Sequence, residues 1–467
     1  MQITNTTIMA ISIKESKISY KYKNNVYYYT IHIVMSSIAF TPNSDKLFQW
    51  INNKNTRKCP DMVREYLHKQ ITSDDSVKVF SHIHSEILRS VEFVENQKRT
   101  KGPKFYNIET STTESEELPV PKTFELSSIP PHIVEDMKNS AKGTIKYKTT
   151  VSGKTFKVVF VVKSVDIYSQ LGVYNKYFDR MVTWMHMANK YAPDKCGHNL
   201  TVYLYFSPFE KSLPTEFHTV IGQDHANTAF TYSCPSSPSE IVIYRQEEWF
   251  KVFIHETFHL LTLDFSGMNA DDVCKEKMST IFSVNSEFKL YETYTETWAV
   301  LLNMCFCAHY YLLESKPDFE QFLYAVKFFI GYEVLFKVFQ MNKILSFMGL
   351  DYNMITTQKQ DVSSSVKTLY KEDTNIFAYH IATTILLCNY THFLSWCNNN
   401  SLASSPLVFK KTTANVESFC DLIVNTHNSK TMEKIVSNKC HLKLMENIDD
   451  TNEWIRGSMR MTICEMA

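Results

Sequence analysis

Two histidines four residues apart lie within a long apolar stretch, EEWFKVFIHETFHLLTLDF, whose periodicity predicts an α-helix. Residues at positions i and i+4 share one face of a helix, so His255 and His259 can bind one metal ion together. Glu256 lies about 100° further round the same helix, where its carboxylate can reach a water molecule beside the metal without binding the metal. The H-E-x-x-H motif at 255–259 therefore predicts a metal site with an adjacent general base. The competing interpretation, two core histidines on a buried helix, leaves Glu256 without a purpose.

A catalytic metal site of this kind needs a third protein ligand and one open position. The segment YETYTETWA at 291–299 has helical periodicity and places Glu292 and Glu296 on one face. Two carboxylates in a mostly apolar helix are costly unless they are paired or bind a metal. A solvated helix face is the alternative. Asp264, five residues after His259, is predicted to be a supporting or helix-end acid rather than a ligand.

These two motifs resemble those of the gluzincin branch of the zincin metallopeptidases, and the resemblance covers roughly residues 155–300. It implies that a glutamate on the later helix is the third zinc ligand, and that an acid four residues further on orients one histidine. Glu292 is the favoured ligand in this arrangement, and the alternative register, E-T-W-A, makes Glu296 the ligand. The resemblance also implies a short edge strand at Asn227–Phe230, where an extended peptide substrate can pair with the backbone.

Peptide hydrolysis also needs a hydrogen-bond donor for the oxyanion that forms at the scissile carbonyl. The resemblance implies a Tyr or His from the later part of the chain. Tyr379 and His380, in the run NIFAYHIATTILL, are the candidates, with Tyr291 and Tyr294 as alternatives.

The fold class predicted is α+β. We expect a smaller α+β N-terminal domain at 1–95, with strand-like sequence at 20–40, and a polar linker or surface arm at 96–131. A zincin-like upper lobe is expected at 132–300, with a mixed sheet and the H-E-x-x-H helix, followed by a mainly helical lobe at 301–467. Within the upper lobe, strands are expected at 155–165, 199–206, 227–232 and 241–244.

Composition narrows the function classes. Lys and Arg together number 49, equal to Asp and Glu, so no basic excess indicates a nucleic-acid partner. Glycine is scarce, and the chain has no Gly-rich phosphate-binding motif. The 11 cysteines are scattered, which predicts reduced thiols in an intracellular protein. Residues 1–14 lack the pattern of a targeting signal, and no segment predicts a membrane span. The bias towards Lys, Asn, Ile and Tyr is typical of an AT-rich genome, such as that of a large DNA virus.

Taken together, the motifs predict a metallopeptidase that binds one Zn²⁺ per chain through His255, His259 and Glu292 or Glu296. Glu256 would activate a zinc-bound water, and the partner would be a peptide or protein substrate. The alternative hypothesis is a catalytically silent zincin-fold protein, a binding or virion component whose metal site is structural. A zinc hydrolase acting on something other than peptides is a third hypothesis.

Overall fold

The computed structural model describes residues 40–68, 74–112, 117–236, 238–312, 318–357, 359–402 and 405–467, together with the backbone of 18–22 and 25–29. Residues 1–14, which the sequence predicts to carry no targeting signal, lie outside the described residues. So do 30–39 of the stretch predicted to be strand-like.

Strands alternate with helices through the first half of the chain, and a few short strands lie in the second half. The strands are β1 (Ile18–Tyr22), β2 (Asn25–Tyr29), β3 (Asn107–Thr112), β4 (Gly143–Val151), β5 (Lys154–Val162), β6 (Asn199–Ser207), β7 (Ile221–Gly222), β8 (Ala229–Thr231), β9 (Ser239–Arg245), β10 (Glu372–Asp373), β11 (Ser401–Leu402) and β12 (Ser405–Phe409).

Helices dominate the second half. The α-helices are α1 (Pro42–Ile51), α2 (Cys59–His68), α3 (Asp74–Lys101), α4 (Pro131–Ser140), α5 (Ile167–Asn189), α6 (Gln223–Ala226), α7 (Trp249–Leu260), α8 (Asp271–Ser279), α9 (Leu290–Tyr311), α10 (Phe319–Phe347), α11 (Tyr352–Thr356), α12 (Gln360–Leu369), α13 (Thr383–Cys388), α14 (Tyr390–Asn400), α15 (Thr413–Thr426), α16 (Lys430–Ser437), α17 (Cys440–Glu446) and α18 (Trp454–Gly457). A π-helical turn, Phe377–Ala382, leads directly into α13.

Six strands form one mixed sheet in the order β3-β4-β5-β6-β9-β8. Strands β5, β6 and β9 run parallel to one another, whereas β4 pairs antiparallel with β3 on one side and with β5 on the other. Strand β8 lies at one edge and runs antiparallel to β9. The α+β class with a mixed sheet is therefore confirmed, and each of the four strands expected between 155 and 244 is present with bounds shifted by up to three residues.

Both faces of the sheet are covered, which is why the middle of each central strand is mostly apolar. Every residue of β9 is buried. Alternate residues such as Ile243 point towards α5 and α7, and their neighbours such as Val242 and Tyr244 pack against α4 and the chain that precedes it. Continuous apolar sequence is typical of parallel strands buried on both faces.

Parts of 96–131, predicted to be a linker or surface arm, belong to regular elements and not to a linker. Helix α3 runs through residue 95 to Lys101, and β3 joins the sheet by pairing with β4. Further on, the buried Glu240 carboxylate accepts hydrogen bonds from the backbone N–H of Lys122 and of Thr123, at 2.9 and 2.8 Å. Most described residues of 96–131 are nonetheless exposed, as expected of a surface arm.

Four cysteines form two disulfide bonds, Cys59–Cys440 and Cys196–Cys234. The prediction of reduced thiols throughout the chain is therefore wrong for these four. The partners lie 381 and 38 residues apart in sequence, so their pairing depends on tertiary packing that spacing along the chain does not reveal. Among the described residues, no helix is both long enough and apolar enough to cross a lipid bilayer.

Gly143 begins β4 where β3 ends against it. A Cβ at Gly143 would lie 2.3 Å from the Ser111 carbonyl oxygen and 2.5 Å from Ile167 Cδ1. We expect Gly143→Ala to lower the free energy of unfolding by about 1–3 kcal/mol, because the backbone of β3 must move. Gly172 is exposed in α5 with open space around such a Cβ, so Gly172→Ala should raise the same free energy by about 0.5–1 kcal/mol. Denaturant unfolding of both variants checks this, and equal losses in the two would contradict it.

Candidate metal centre

Helix α7 carries His255, Glu256 and His259. It lies against β8 and β9 on one side and α9 on the other, so eleven of its twelve residues are buried and His259 alone is partly exposed. A helix that is apolar all round belongs in a protein interior. The two histidines therefore stand in a largely water-excluded environment, where their polar atoms need partners.

The structure brings Glu292 to these histidines from the first turn of α9. Glu292 Oε2 lies 3.1 Å from His255 Nε2 and 3.4 Å from His259 Nε2. The two Nε2 atoms are themselves 3.1 Å apart. Within the described ranges, His255, His259 and Glu292 are the one group of three His, Cys, Asp or Glu side chains that could hold a metal ion.

Glu296 faces the opposite ring nitrogen of His255, with Oε2 3.1 Å from Nδ1. The alternative register, in which Glu296 is the third ligand, therefore does not fit the geometry. One helical turn separates the two glutamates on α9, so Glu292 reaches the Nε2 side of the imidazole and Glu296 the Nδ1 side. Glu296 orients the His255 ring from the side opposite to Glu292.

Asp264 supports the second histidine in the same way, and its predicted supporting role is confirmed. The His259 Nδ1 atom bonds to Asp264 Oδ2. Helix α7 ends in a turn with Thr262 at φ 54° and a hydrogen bond from the Leu263 N–H to the Phe258 carbonyl. This Schellman-type ending reverses the chain and returns Asp264 to the helix it has just left.

Two carboxylates thus fix the tautomers of both imidazoles. A carboxylate only accepts hydrogen bonds, so each histidine donates from Nδ1 and presents the lone pair of Nε2. Two lone pairs and the carboxylate of Glu292 then converge on one point. A cation at that point satisfies all three groups at once.

Two buried lysines hold Glu296 in place. Lys251 Nζ donates to both oxygens of Glu296 at 2.9 Å, and Lys337 Nζ from α10 lies 3.5 Å from Oε1. Lys251 is 3 % exposed and Lys337 is fully buried. The motif analysis missed both residues. Lys251 precedes His255 by four and shares its helix face, a local signal, whereas Lys337 sits in a separate apolar helix where no local pattern points to the site.

The charged side chains around the metal group shift the pKa values of its histidines and of Glu292. Burial alone lowers the pKa of His259, but Glu292 and Asp264 outweigh it and the net pKa lies well above the usual value. The pKa of His255 is also raised, because hydrogen bonds to Glu292 and Glu296 overcome burial. For Glu292, burial raises the pKa, yet the two histidines lower it overall.

Glu256 differs from the other acids of the site. It is buried, and burial raises its pKa while His255 and His259 pull the pKa down. Within the part of the chain that the structure describes, no hydrogen bond to its carboxylate is found. Glu256 therefore remains able to accept a proton from a group that enters the site.

Of the four predicted oxyanion donors, the structure brings Tyr379 and Tyr291 to the site. The Tyr379 hydroxyl lies 3.2 Å from Glu292 Oε2 and its ring centroid is 6.0 Å from that of His255. The Tyr291 ring lies 6.0 Å from that of His259. Tyr294 instead donates to the Leu407 carbonyl in the core.

His380 is not brought to the metal group. It is fully buried, neither ring nitrogen has a hydrogen-bond partner among the described residues, and burial followed by the charge of Lys337 lowers its pKa. Successive residues of the π-helical turn point in different directions, so Tyr379 faces the site and His380 faces the interior beside α10.

The predicted edge strand lies beside the metal group. β8 begins two residues after the predicted start and packs against α7. Its inner side pairs with β9, and no backbone hydrogen bond from its outer side to another described segment is found. Asn227, just before β8, accepts a hydrogen bond from Thr374 Oγ1 at 2.9 Å, so the chain leading to Tyr379 adjoins this edge.

No protein-family model, curated protein or solved structure matches this chain. Its function must be inferred from the residues and geometry of the site.

We expect Glu296→Gln to weaken binding of a divalent metal by about 10–100-fold, because the amide cannot pair with two lysines and also accept from His255 Nδ1. Competition with a chromogenic chelator measures the affinity. Glu86→Gln is the matched control, since Glu86 is a buried partner of Lys190, at 2.8 Å, and touches no residue of the metal group. Equal affinities in the two variants would refute the orienting role of Glu296.

Metal affinity should rise with pH. Protons and metal compete for Nε2 of His255 and His259, whose pKa values are raised in the metal-free chain. Each displaced proton strengthens binding by up to about tenfold per pH unit below the pKa of that histidine. Dissociation constants at about pH 6 and about pH 8 test this, and an affinity independent of pH would show that the histidines are not ligands.

Proposed function

We propose that this protein is a zinc-dependent metallopeptidase of gluzincin type, with His255, His259 and Glu292 as the zinc ligands. Zinc bound tetrahedrally at 2.0–2.1 Å separates neighbouring ligand atoms by about 3.3 Å. The three ligand atoms here lie 3.1, 3.1 and 3.4 Å apart. This match between the triangle and the ion is the main support for the proposal.

The donor set favours zinc over harder cations. Two imidazole nitrogens and one carboxylate are typical of catalytic zinc, whereas Mg²⁺ and Ca²⁺ prefer oxygen ligands alone. Three protein ligands also leave one position for water or substrate. Structural zinc sites are instead closed by four protein ligands.

Glu256 acts as the general base and then as the general acid. A bound zinc ion would acidify a water molecule and polarise the scissile carbonyl. Glu256 would accept a proton at its carboxylate from the attacking water and would then deliver that proton to the nitrogen of the leaving amine. The raised pKa of the buried carboxyl makes it a better proton acceptor than an exposed glutamate.

Tyr379 supports the negative charge that develops on the carbonyl oxygen. Its hydroxyl is a donor already positioned beside Glu292. A fixed donor in a water-poor site stabilises the transition state without needing to reorganise.

The unpaired outer side of β8 favours an extended peptide as substrate. A peptide that adds to this edge gains backbone hydrogen bonds without any requirement for a particular side chain. The reaction is then hydrolysis of a peptide bond in an extended segment laid between β8 and the metal group.

A catalytically silent binding protein with a structural metal is the rival function. Glu256 argues for the enzyme, because a structural site gains nothing from a buried carboxylate that no described residue hydrogen-bonds. Proton transfer gives this carboxylate a purpose.

We expect wild-type protein to contain about one zinc ion per chain and to cleave an unstructured protein such as casein. Glu256→Gln should keep the zinc and lower the cleavage rate by about 10²–10⁴-fold, because the amide cannot accept the proton. Elemental analysis and a peptide-release assay measure the two quantities.

His259→Ala is the matched control and should lose both zinc and cleavage. Zinc that persists in His259→Ala would contradict the site. Zinc with no cleavage in wild type, across substrate pools, would favour the silent binding protein.

A further inference from the structure

Cys274, Cys307, Cys420 and Cys464 are free, buried thiols in the structure, and we infer that Cys274 with Cys420 and Cys307 with Cys464 form disulfide bonds when the protein is oxidised. The Cys420 and Cys274 sulfur atoms lie 3.9 Å apart, in contact. Burial, and after it the neighbouring Cys307, holds the pKa of the Cys464 thiol well above its usual range. Together with Cys59–Cys440 and Cys196–Cys234, these bonds would use eight of the 11 cysteines.

The first pair joins two helices that are packed side by side. Cys274 lies on α8 and Cys420 on α15, and the sulfurs meet in the interior, at 2 % and 0 % exposure of the two residues. Lys277 Nζ and Asp421 Oδ1 on the same two helices form an ion pair at 2.7 Å. Contact and register therefore already place the thiols for bond formation, which needs the sulfurs to approach to about 2.05 Å.

The second pair joins α9 to the C-terminal segment 458–466. The Cys464 carbonyl accepts a hydrogen bond from Asn303 Nδ2 at 2.7 Å, one turn before Cys307 on α9. Both cysteines are fully buried. None of these four cysteines contacts the metal group in the described residues, so the inference is independent of the proposed peptidase activity.

The two bonds already present indicate an oxidising environment. Thiols in mutual contact are oxidised under the same conditions that preserve structural disulfides. The pattern is also coherent, because Cys420, Cys440 and Cys464 would each tie the C-terminal region to a different helix, α8, α2 and α9. The inference places folding in an oxidising compartment, against the intracellular location predicted from the sequence.

Each bond forms during folding, before its two thiols are buried, by exchange with a low-molecular-weight disulfide such as oxidised glutathione. The Cys420 thiolate attacks one glutathione sulfur and releases one glutathione thiolate. The Cys274 thiolate then attacks the Cys420 sulfur of this mixed disulfide and releases the second glutathione. Two protein thiols lose two protons and two electrons, and one glutathione disulfide gains them.

The test is peptide mapping of full-length protein folded with a glutathione redox buffer. The protein is denatured and alkylated without reduction, then digested and analysed by mass spectrometry. We expect linked peptides for 274 with 420 and for 307 with 464, and no alkylation at those four cysteines. Alkylation of both members of a pair, with Cys59–Cys440 and Cys196–Cys234 intact, would overturn the inference for that pair.

Single variants identify the partners independently. Cys420→Ala should make Cys274 newly alkylated, and Cys464→Ala should do the same for Cys307. Cys305→Ala, two residues before Cys307 on the same helix, is the matched control and should change neither. A linked 305–464 peptide, or release of a different cysteine, would overturn the assignment.

Discussion

The carboxylate of Glu296 is fully buried between helices α7, α9 and α10. His255 and Lys251 approach it from α7, and Lys337 approaches it from α10. Removing these charges from water costs several kcal/mol per ion, and mutual attraction repays that cost only when every group is paired. The arrangement is therefore a weak source of stability. What it provides is a fixed direction for the imidazole of His255.

The same charged region continues away from the metal group. Glu333, one turn before Lys337 on α10, accepts from the backbone N–H of Ile463 at 3.1 Å and from Thr462 Oγ1 at 2.8 Å. Glu248, just before α7, accepts from the Met461 N–H at 2.8 Å. The backbone of the C-terminal segment is thus the hydrogen-bonding partner of acids that flank α7 and α10. Burial raises the pKa of Glu333 to about 7, so these bonds are what makes its interior position tolerable.

Local sequence was enough to predict the parts of the site that lie within one turn of a helix. His255, Glu256 and His259 share one helix, and Glu292 with Glu296 share another, so spacing alone placed them on common faces. Which of the two glutamates faces the Nε2 atoms depends on the position of α9 relative to α7, and tertiary packing decides that position. Tyr379 and His380 are adjacent in sequence, and only the π-helical turn decides which of them faces the metal group.

The same limit explains where the predicted fold was wrong. Polar composition at 96–131 indicated a linker or surface arm, but composition does not reveal that the buried carboxylate of Glu240 accepts hydrogen bonds from that backbone. Cysteine spacing could not reveal pairs that meet only in three dimensions, such as Cys59 with Cys440. Periodicity did predict the strands and long helices, because apolar faces are set by nearest neighbours along the chain.

The metal group is assembled from segments that are far apart in sequence. Helix α7 follows the last strand of the sheet, and α9 begins only after α8. Tyr379 comes from the helical second half of the chain. In the absence of a cation, Glu292 and the raised pKa values of His255 and His259 keep the three ligands together as a hydrogen-bonded acid and base group. The three candidate ligand atoms already lie within 3.4 Å of one another, so binding a metal there would displace protons and require little movement of the chain.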